Sequence, residues 1–391
     1  MAASAWPLLS YAFRPFFLLG ALFSILAMLL WLGMLHAFPV RTPVGDPVFW
    51  HAHEMLFGFA GAAVAGFLLT AVATWTGRPP VSGGRLGMLV LAWVAGRLAM
   101  LGVTGLPVEV QAAVDLLFPA LLAALVAREV VAGGSRRNYP VVGVVLMFGA
   151  LDVAYHLAQT GVLPGAQRPA LTLAVHLLLV LITIIGGRIV PAFTGNWLRQ
   201  RGATALPRSH RVLEILIVPL AIVAAVADGV GAAAPIGGTF ALVVAALHGV
   251  RLAGWRGRVT GAEPLVFILH VAYAWLPVGY LLLGLTALGL PLPRSAAIHA
   301  LTMGAVGAMI LAVATRVSLG HTGRALAAAP LTSLSYLLLN LAVLVRIASP
   351  LASGSYLALV DVAAAGWLAA FGLFLAVYWP ILTGPRREAS S

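Results

Sequence analysis

The sequence predicts an all-α membrane protein of about twelve transmembrane helices. Three observations carry this reading. Hydrophobic residues make up 62% of the 391 and charged residues only 9%, the mean hydropathy is +1.03, and runs of about 20 apolar residues recur from end to end. No polar stretch exceeds roughly twenty residues, an ordinary long loop, so one polytopic domain spanning 1–391 is expected.

The runs follow in order. Arg14-Pro15 precedes the first, about 16–36, which is too long and too apolar for a signal-peptide core and is read as a retained helix. Pro39, Pro43, Gly45 and Pro47 mark a loop before run two, 51–74. A Gly/Pro/Arg connection at 76–85 leads into runs three (86–104) and four (108–131). The polar turn Gly133 to Asn138 separates these from runs five (140–161) and six (169–190). The longest loop, 191–211, is placed on Pro191, Gly195, Asn196 and Arg199. Runs seven (212–230), eight (235–253), nine (263–288) and ten (295–317) come next. A loop at 318–324 carrying His321 then precedes runs eleven (330–348) and twelve (356–380).

The formal charge of +12 would suit nucleic acid, but there is no lysine and the arginines are distributed as in a membrane protein. Eighteen of the 23 fall at the termini and in even-numbered loops. Only Arg41, Arg168 and Arg294 fall in odd-numbered loops, and Arg97 and Arg346 lie inside runs. The positive-inside rule then puts both termini in the cytoplasm and excludes a nucleic-acid partner in favour of lipid. The absence of cysteine rules out disulfides, iron–sulfur clusters and thiolate-bound haem or zinc. Any metal must be held by histidine, methionine or carboxylate.

Ionisable groups at membrane depth are costly and by default mark function. The segment Phe49 to Gly58 brings His51, His53 and Glu54 to the mouth of run two. On a regular helix His51 and Glu54 share a face, while His51 and His53 point to opposite sides, so the two histidines would serve two centres. At 1.5 Å per residue, His36, His51, His53, His156, His176 and His299 occupy one layer in the outer third of the membrane. His299 and Met303 offer imidazole and thioether one turn apart, and Asp152, Tyr155 and His156 form an i, i+3, i+4 set. His270 and Tyr273 precede Pro277 in run nine; Arg316 and His321 flank the loop after run ten. Arg97, Asp115 and Asp361 are intramembrane charges that must pair or face a wet cavity. Each group also has a plainer reading as an interfacial or self-satisfied polar contact. A weak repeat appears at a shift of 246 residues, pairing His53 with His299, Gly61 with Gly307 and Thr76-Gly77-Arg78 with Thr322-Gly323-Arg324. With His176 on run six, runs two, six and ten suggest three four-helix arcs, by analogy with haem–copper oxidases.

Several motifs together resemble the NnrS family of haem- and copper-containing membrane proteins linked to nitric oxide. They include Phe13-Arg14-Pro15-Phe16-Phe17, His51-Ala52-His53-Glu54-Met55-Leu56-Phe57-Gly58 and Gly66-Phe67-Leu68-Leu69-Thr70. Gly186-Gly187-Arg188, Leu269-His270 to Pro277, His299-Ala300-Leu301-Thr302 and Leu319-Gly320-His321-Thr322-Gly323-Arg324 complete the set. The chain departs from the pattern at Ala73-Thr74, where proline and asparagine are expected, and at Ala314, where methionine is. The resemblance implies haem b and copper as cofactors. It makes His51, His53, His270 and His299 candidate metal ligands, and His53, His299, Arg316 and His321 candidate haem contacts. Glu54 would be the catalytic acid or base. The implied setting is the bacterial cytoplasmic membrane, the substrate nitric oxide and the reaction its reduction to nitrous oxide with quinol electrons. A non-catalytic nitric oxide or metal sensor, a metal-handling protein and a small-solute transporter remain as alternatives, and oligomeric state is left open.

Overall fold

The computed structural model describes residues 6–38, 45–102 and 105–387. Pro39, Arg41 and Pro43 of the first loop lie outside the described residues. Twelve helices follow one another: α1 Phe13–Leu35, α2 Pro47–Thr76, α3 Gly83–Met100, α4 Val108–Ala132, α5 Tyr139–Gln159 and α6 Gln167–Gln200, then α7 Arg211–Gly229, α8 Ala234–Ala253, α9 Pro264–Ala287, α10 Arg294–His321, α11 Pro330–Ala348 and α12 Tyr356–Thr383. No strand occurs among the described residues. All but α3 are long and apolar enough to cross a membrane. Helix α3 is shorter and carries Arg85 and Arg97. Leucines such as Leu22, Leu26 and Leu29 on α1 and Leu334, Leu337 and Leu341 on α11 stay exposed, as faces turned to hydrocarbon must.

Two local expectations are corrected. The segment expected to be a loop from 191 is helical as far as Gln200, so α6 runs for 34 residues straight through Pro191 and Gly195. Proline removes one backbone donor but is tolerated in membrane helices when neighbouring groups take over the freed carbonyl. Helix α10 likewise continues to His321, so this histidine closes a helix. The turn begins at Gly323, whose φ is +70°.

The chain divides into two compact units. Unit 1 comprises residues 1–174, 317–325 and 374–391; unit 2 comprises 175–316 and 326–373. In unit 1, α1 packs on α2, α3 on α4 and α4 on α5; in unit 2, α7 packs on α8, α8 on α9 and α9 on α10. The family-like motif at the start of α1 works within unit 1. Arg14 donates to the carbonyls of Leu382 (2.9 Å) and Gly384 (2.7 Å), and the Phe13 amide donates to Thr70 Oγ1 (3.3 Å).

Helices α2 and α10 are the most enclosed, with 78% and 72% of their apolar windows buried, and both depart from regular helix at equivalent places. A wide π-helical turn covers Glu54–Ala60 in α2 and Ala300–Gly307 in α10, opening directly after His53 and His299. The 246-residue repeat is therefore a repeat of conformation. It also pairs Gly77 (φ +67°) with Gly323 (φ +70°), the left-handed residues that terminate the two helices. Helix α6 has no such turn. In α2, Gly66 lets α1 approach: a Cβ there would stand 3.0 Å from Phe17 and 3.1 Å from Phe16. Gly66→Val is expected to cost about 1–3 kcal/mol through overpacking, read as a lowered midpoint of thermal unfolding in detergent.

Candidate metal centre

Helix α2 is set up before its first polar side chain. Asp46 accepts from the Val48 amide (2.8 Å) at the N-terminus and Pro47 takes the first helical position. The buried Trp50 donates its indole N–H to the Met100 carbonyl (2.7 Å), tying α2 to the end of α3. The wide turn then begins at Glu54. Such turns often accompany functional sites, because they loosen the backbone ladder and reorient successive side chains. Here Trp93 of α3 donates to the Gly58 carbonyl (3.0 Å). Gly58 has no room for a side chain: a Cβ would meet the Phe23 ring at 2.7 Å and Arg97 Nη1 at 2.9 Å. Gly96 of α3 does the same for α4, where a Cβ would lie 2.6 Å from Asp115 Oδ1 and 3.1 Å from its Cα.

These close approaches bring four helices to one buried cluster. His53 and Glu54 come from α2, Arg97 from α3, Asp115 from α4, and Asp152 and His156 from α5. All are at most 4% exposed. His53 Nε2 lies 2.9 Å from Asp152 Oδ1 and 3.3 Å from Asp115 Oδ2. His156 Nε2 lies 3.0 Å from Asp115 Oδ2 and 3.7 Å from Asp152 Oδ1. One donor atom from each of these four residues falls within 4.8 Å of the others. Around them, His53 Nδ1 faces Glu54 Oε1 at 2.8 Å and His156 Nδ1 faces Gln159 Oε1 at 3.2 Å. Arg97 donates to Glu54 Oε1 (2.6 Å) and to Asp115 Oδ1.

The donor set fits a divalent metal ion on three counts. Both imidazoles give Nδ1–H to an outer acceptor and turn Nε2 inward, the carboxylate–histidine arrangement that orients metal ligands. With bonds of about 2.1 Å, neighbouring ligand atoms lie ~3.0 Å apart in an octahedron and ~3.4 Å in a tetrahedron, close to the separations observed. The third count is charge. Glu54, Asp115 and Asp152 bring three negative charges against the one of Arg97, so neutral imidazoles leave two uncompensated in an apolar bundle. One divalent cation, or one proton on each histidine, cancels them.

The other sequence candidates are distributed differently. His51 does not join His53: its ring stacks on Trp31 (4.5 Å, 22°), on another side of the helix as its spacing required. Glu54, the first residue of the widened turn, pairs with His53 Nδ1 (2.8 Å). His270 is buried in unit 2. Thr194 Oγ1 donates to the Val190 carbonyl (2.8 Å) and therefore accepts from His270 Nε2 (2.8 Å). That leaves Nδ1 buried without a hydrogen-bond partner. His299 is half-buried and its Nδ1 meets the Ser295 carbonyl at 2.7 Å; a carbonyl only accepts, so Nδ1 carries the proton and Nε2 the lone pair. Arg316 lies 4.1 Å over the Phe193 ring. His321 packs in unit 1 against Phe13 (5.6 Å) and Tyr11 (6.0 Å).

The sequence offers Asp152 and His156 as one set at the depth of His53, and Arg97 and Asp115 as separate intramembrane charges. Their signal was present, since each interrupts an apolar run, but nothing local said that they converge on His53.

Two outcomes follow. Asp152→Asn or His156→Ala should abolish stoichiometric binding of a divalent transition metal, measured by titration calorimetry on detergent-solubilised protein. Glu54→Gln should weaken it about 10–100-fold. Binding should also release about two protons per metal at a pH where both imidazoles start protonated, read from the dependence of binding heat on buffer ionisation enthalpy. Affinity then falls as pH is lowered. Unchanged affinity in all three variants removes this centre.

A family model described as NnrS protein matches residues 7–386, nearly the whole chain. No curated protein matches it.

Proposed function

The chain belongs to the NnrS family, and from that premise we propose that it is a metalloprotein of the bacterial cytoplasmic membrane that binds copper and haem b and removes or responds to nitric oxide. Both termini lie in the cytoplasm on this reading, in keeping with the arginine distribution. The observation that carries the proposal is the inward convergence of His53 and His156 Nε2 on two carboxylates.

The donors suit copper in its divalent state. Two imidazole nitrogens and two carboxylate oxygens, with no sulfur, make a nitrogen–oxygen set of the kind Cu(II) accepts. His299, whose Nδ1 donates to the Ser295 carbonyl, is the histidine that would hold haem iron. Arg316 lies seventeen residues further along α10, about 25 Å away, beyond the reach of the carboxylates of a haem held at His299. Bound haem and copper would supply redox chemistry, the acceptance of electrons from quinol and their transfer to nitric oxide. Two nitric oxide molecules, two electrons and two protons balance to one nitrous oxide and one water.

The protein's own share is to hold a proton and to exclude bulk water. Glu54 Oε1 is engaged by His53 and Arg97, whereas Oε2 is buried without a hydrogen-bond partner. Oε2 is thus the atom at which this carboxyl holds or releases a proton. Burial of all four ligand residues keeps out bulk water and bulky donors but not a small apolar gas.

The same burial favours a second reading. Full enclosure of the ligand residues is a feature of structural rather than catalytic metal sites, which suits a sensor. It speaks against metal delivery, which needs an exposed ligand. The separating experiment uses purified protein with a quinol and nitric oxide under anaerobic conditions, together with metal analysis and an absorbance spectrum. A Soret band, bound copper and one nitrous oxide per two nitric oxide consumed are expected, with the band lost in His299→Ala. A nitric oxide-induced spectral change without turnover establishes the sensor. Colourless, metal-free protein inert to nitric oxide ends both readings.

A further inference from the structure

We propose that unit 2 contains a gated proton path running along most of the length of α7, plugged by Arg251. It goes beyond the metal reading and does not depend on it, since every residue involved belongs to unit 2.

The path begins at Arg294, which clamps Asp228 through two hydrogen bonds of 2.7 and 2.8 Å. Asp228 Oδ2 lies 3.0 Å from His176 Nε2, and His176 Nδ1 lies 3.2 Å from the Tyr280 hydroxyl. The Tyr280 ring stacks on His248 (5.9 Å, 10°), and His248 Nδ1 lies 2.8 Å from the Tyr273 hydroxyl. Tyr273 then accepts from Arg251 (3.0 Å), whose guanidinium also pairs with Glu214 (Nε to Oε1, 2.9 Å) and donates to the Thr183 carbonyl (2.7 Å). His176, Tyr280, His248 and Tyr273 are at most 1% exposed.

Length separates this chain from a local polar contact. Glu214 sits in the first turn of α7 and Asp228 at its last, fourteen positions or about 21 Å apart, most of the ~30 Å hydrocarbon thickness. Tyr273 and Tyr280 are seven residues apart on α9, two turns on one face, so their hydroxyls bridge the middle. Every inner member is a hydroxyl or an imidazole, groups that both accept and donate. Each can take a proton on one side while releasing one on the other, so one proton enters as one leaves and no electrons move.

Two features keep the path closed. The link between Tyr280 and His248 is a ring stack without a hydrogen bond, and His248 Nε2 is buried with no partner. Arg251 closes the other end, because a guanidinium does not give up its proton and its charge repels an incoming one in a low-dielectric interior. Gly187 makes its seat: a Cβ there would overlap the Arg251 guanidinium, and a Cβ at Gly186 would stand 3.4 Å from the Tyr273 ring. The paired glycines lie inside α6 and hold the plug.

The test is proton flux into liposomes reconstituted with the full chain, driven by a potassium gradient with valinomycin and followed with a pH-sensitive dye. Wild type should match protein-free vesicles. Arg251→Gln with Glu214→Gln, which removes the plug and its counter-charge together, should raise the flux at least about tenfold, the factor that ~1.4 kcal/mol of barrier represents. Adding Tyr280→Phe should return it to the wild-type level. Gly187→Ala, which displaces the guanidinium but keeps both charges, should give a smaller rise that Tyr280→Phe again removes, and it serves if the paired replacement does not fold. Flux that stays at the wild-type level in both opened variants, or a rise that Tyr280→Phe leaves intact, overturns the proposal.

Discussion

The guanidinium of Arg97, held between Glu54 and Asp115 at 4% exposure, is the constraint on which the chemistry of unit 1 depends. An unpaired charge in an apolar bundle costs several kcal/mol, so α3 approaches α2 and α4 closely enough for one cation to serve two carboxylates. That closeness is possible because the backbone at Gly58 and Gly96 carries no Cβ. Arg97 also leaves the account incomplete, since Asp152 and one further negative charge remain. His53 and His156 are placed to answer them, either as cations or as ligands to one. The cluster therefore carries negative charge that two protons or one divalent cation would cancel.

The wide turns of α2 and α10 show one local device used for two purposes. Gly58 and Gly304, Gly61 and Gly307, and Gly77 and Gly323 correspond, as do His53 and His299. A large group presses on the first glycine of each turn: the Phe23 ring and Arg97 on Gly58, the Trp275 ring on Gly304. The residue after the histidine differs. In α2 it is Glu54, which anchors both His53 and Arg97; in α10 it is Ala300, and His299 is held by its own helix through the Ser295 carbonyl. The repeat preserves a turn that widens directly after a histidine, and the acid appears only in the copy whose neighbours bring further charges.

Unit 2 handles its buried polar groups on another plan. Where unit 1 brings His53, Glu54, Arg97, Asp115, Asp152 and His156 into one cluster, unit 2 places carboxylate–arginine pairs near the two ends of α7 and fills the interval with hydroxyls and imidazoles. Neutral amphoteric groups are the less costly way to cross a low-dielectric interior.

Hydropathy and arginine placement by themselves determined the helical membrane class, the twelve segments and nearly all their ends, because each depends on residues within one segment. Two of the misplaced ends, at 191–200 and 318–321, fell where proline and glycine look like breaks in sequence but are absorbed inside a helix. The resemblance to one family was equally legible, through motifs at His51–Gly58 and Leu319–Arg324. Which histidines share a centre was not. His53 meets Asp152 across 99 positions and His156 meets Asp115 across 41, while His51, two residues from His53, goes to Trp31. Depth in the bilayer follows from counting residues, and six histidines shared a layer on that count. Convergence depends on how helices rotate and approach, which is set by glycine contacts, a widened turn and the need to neutralise buried charge, and only the tertiary structure decided it.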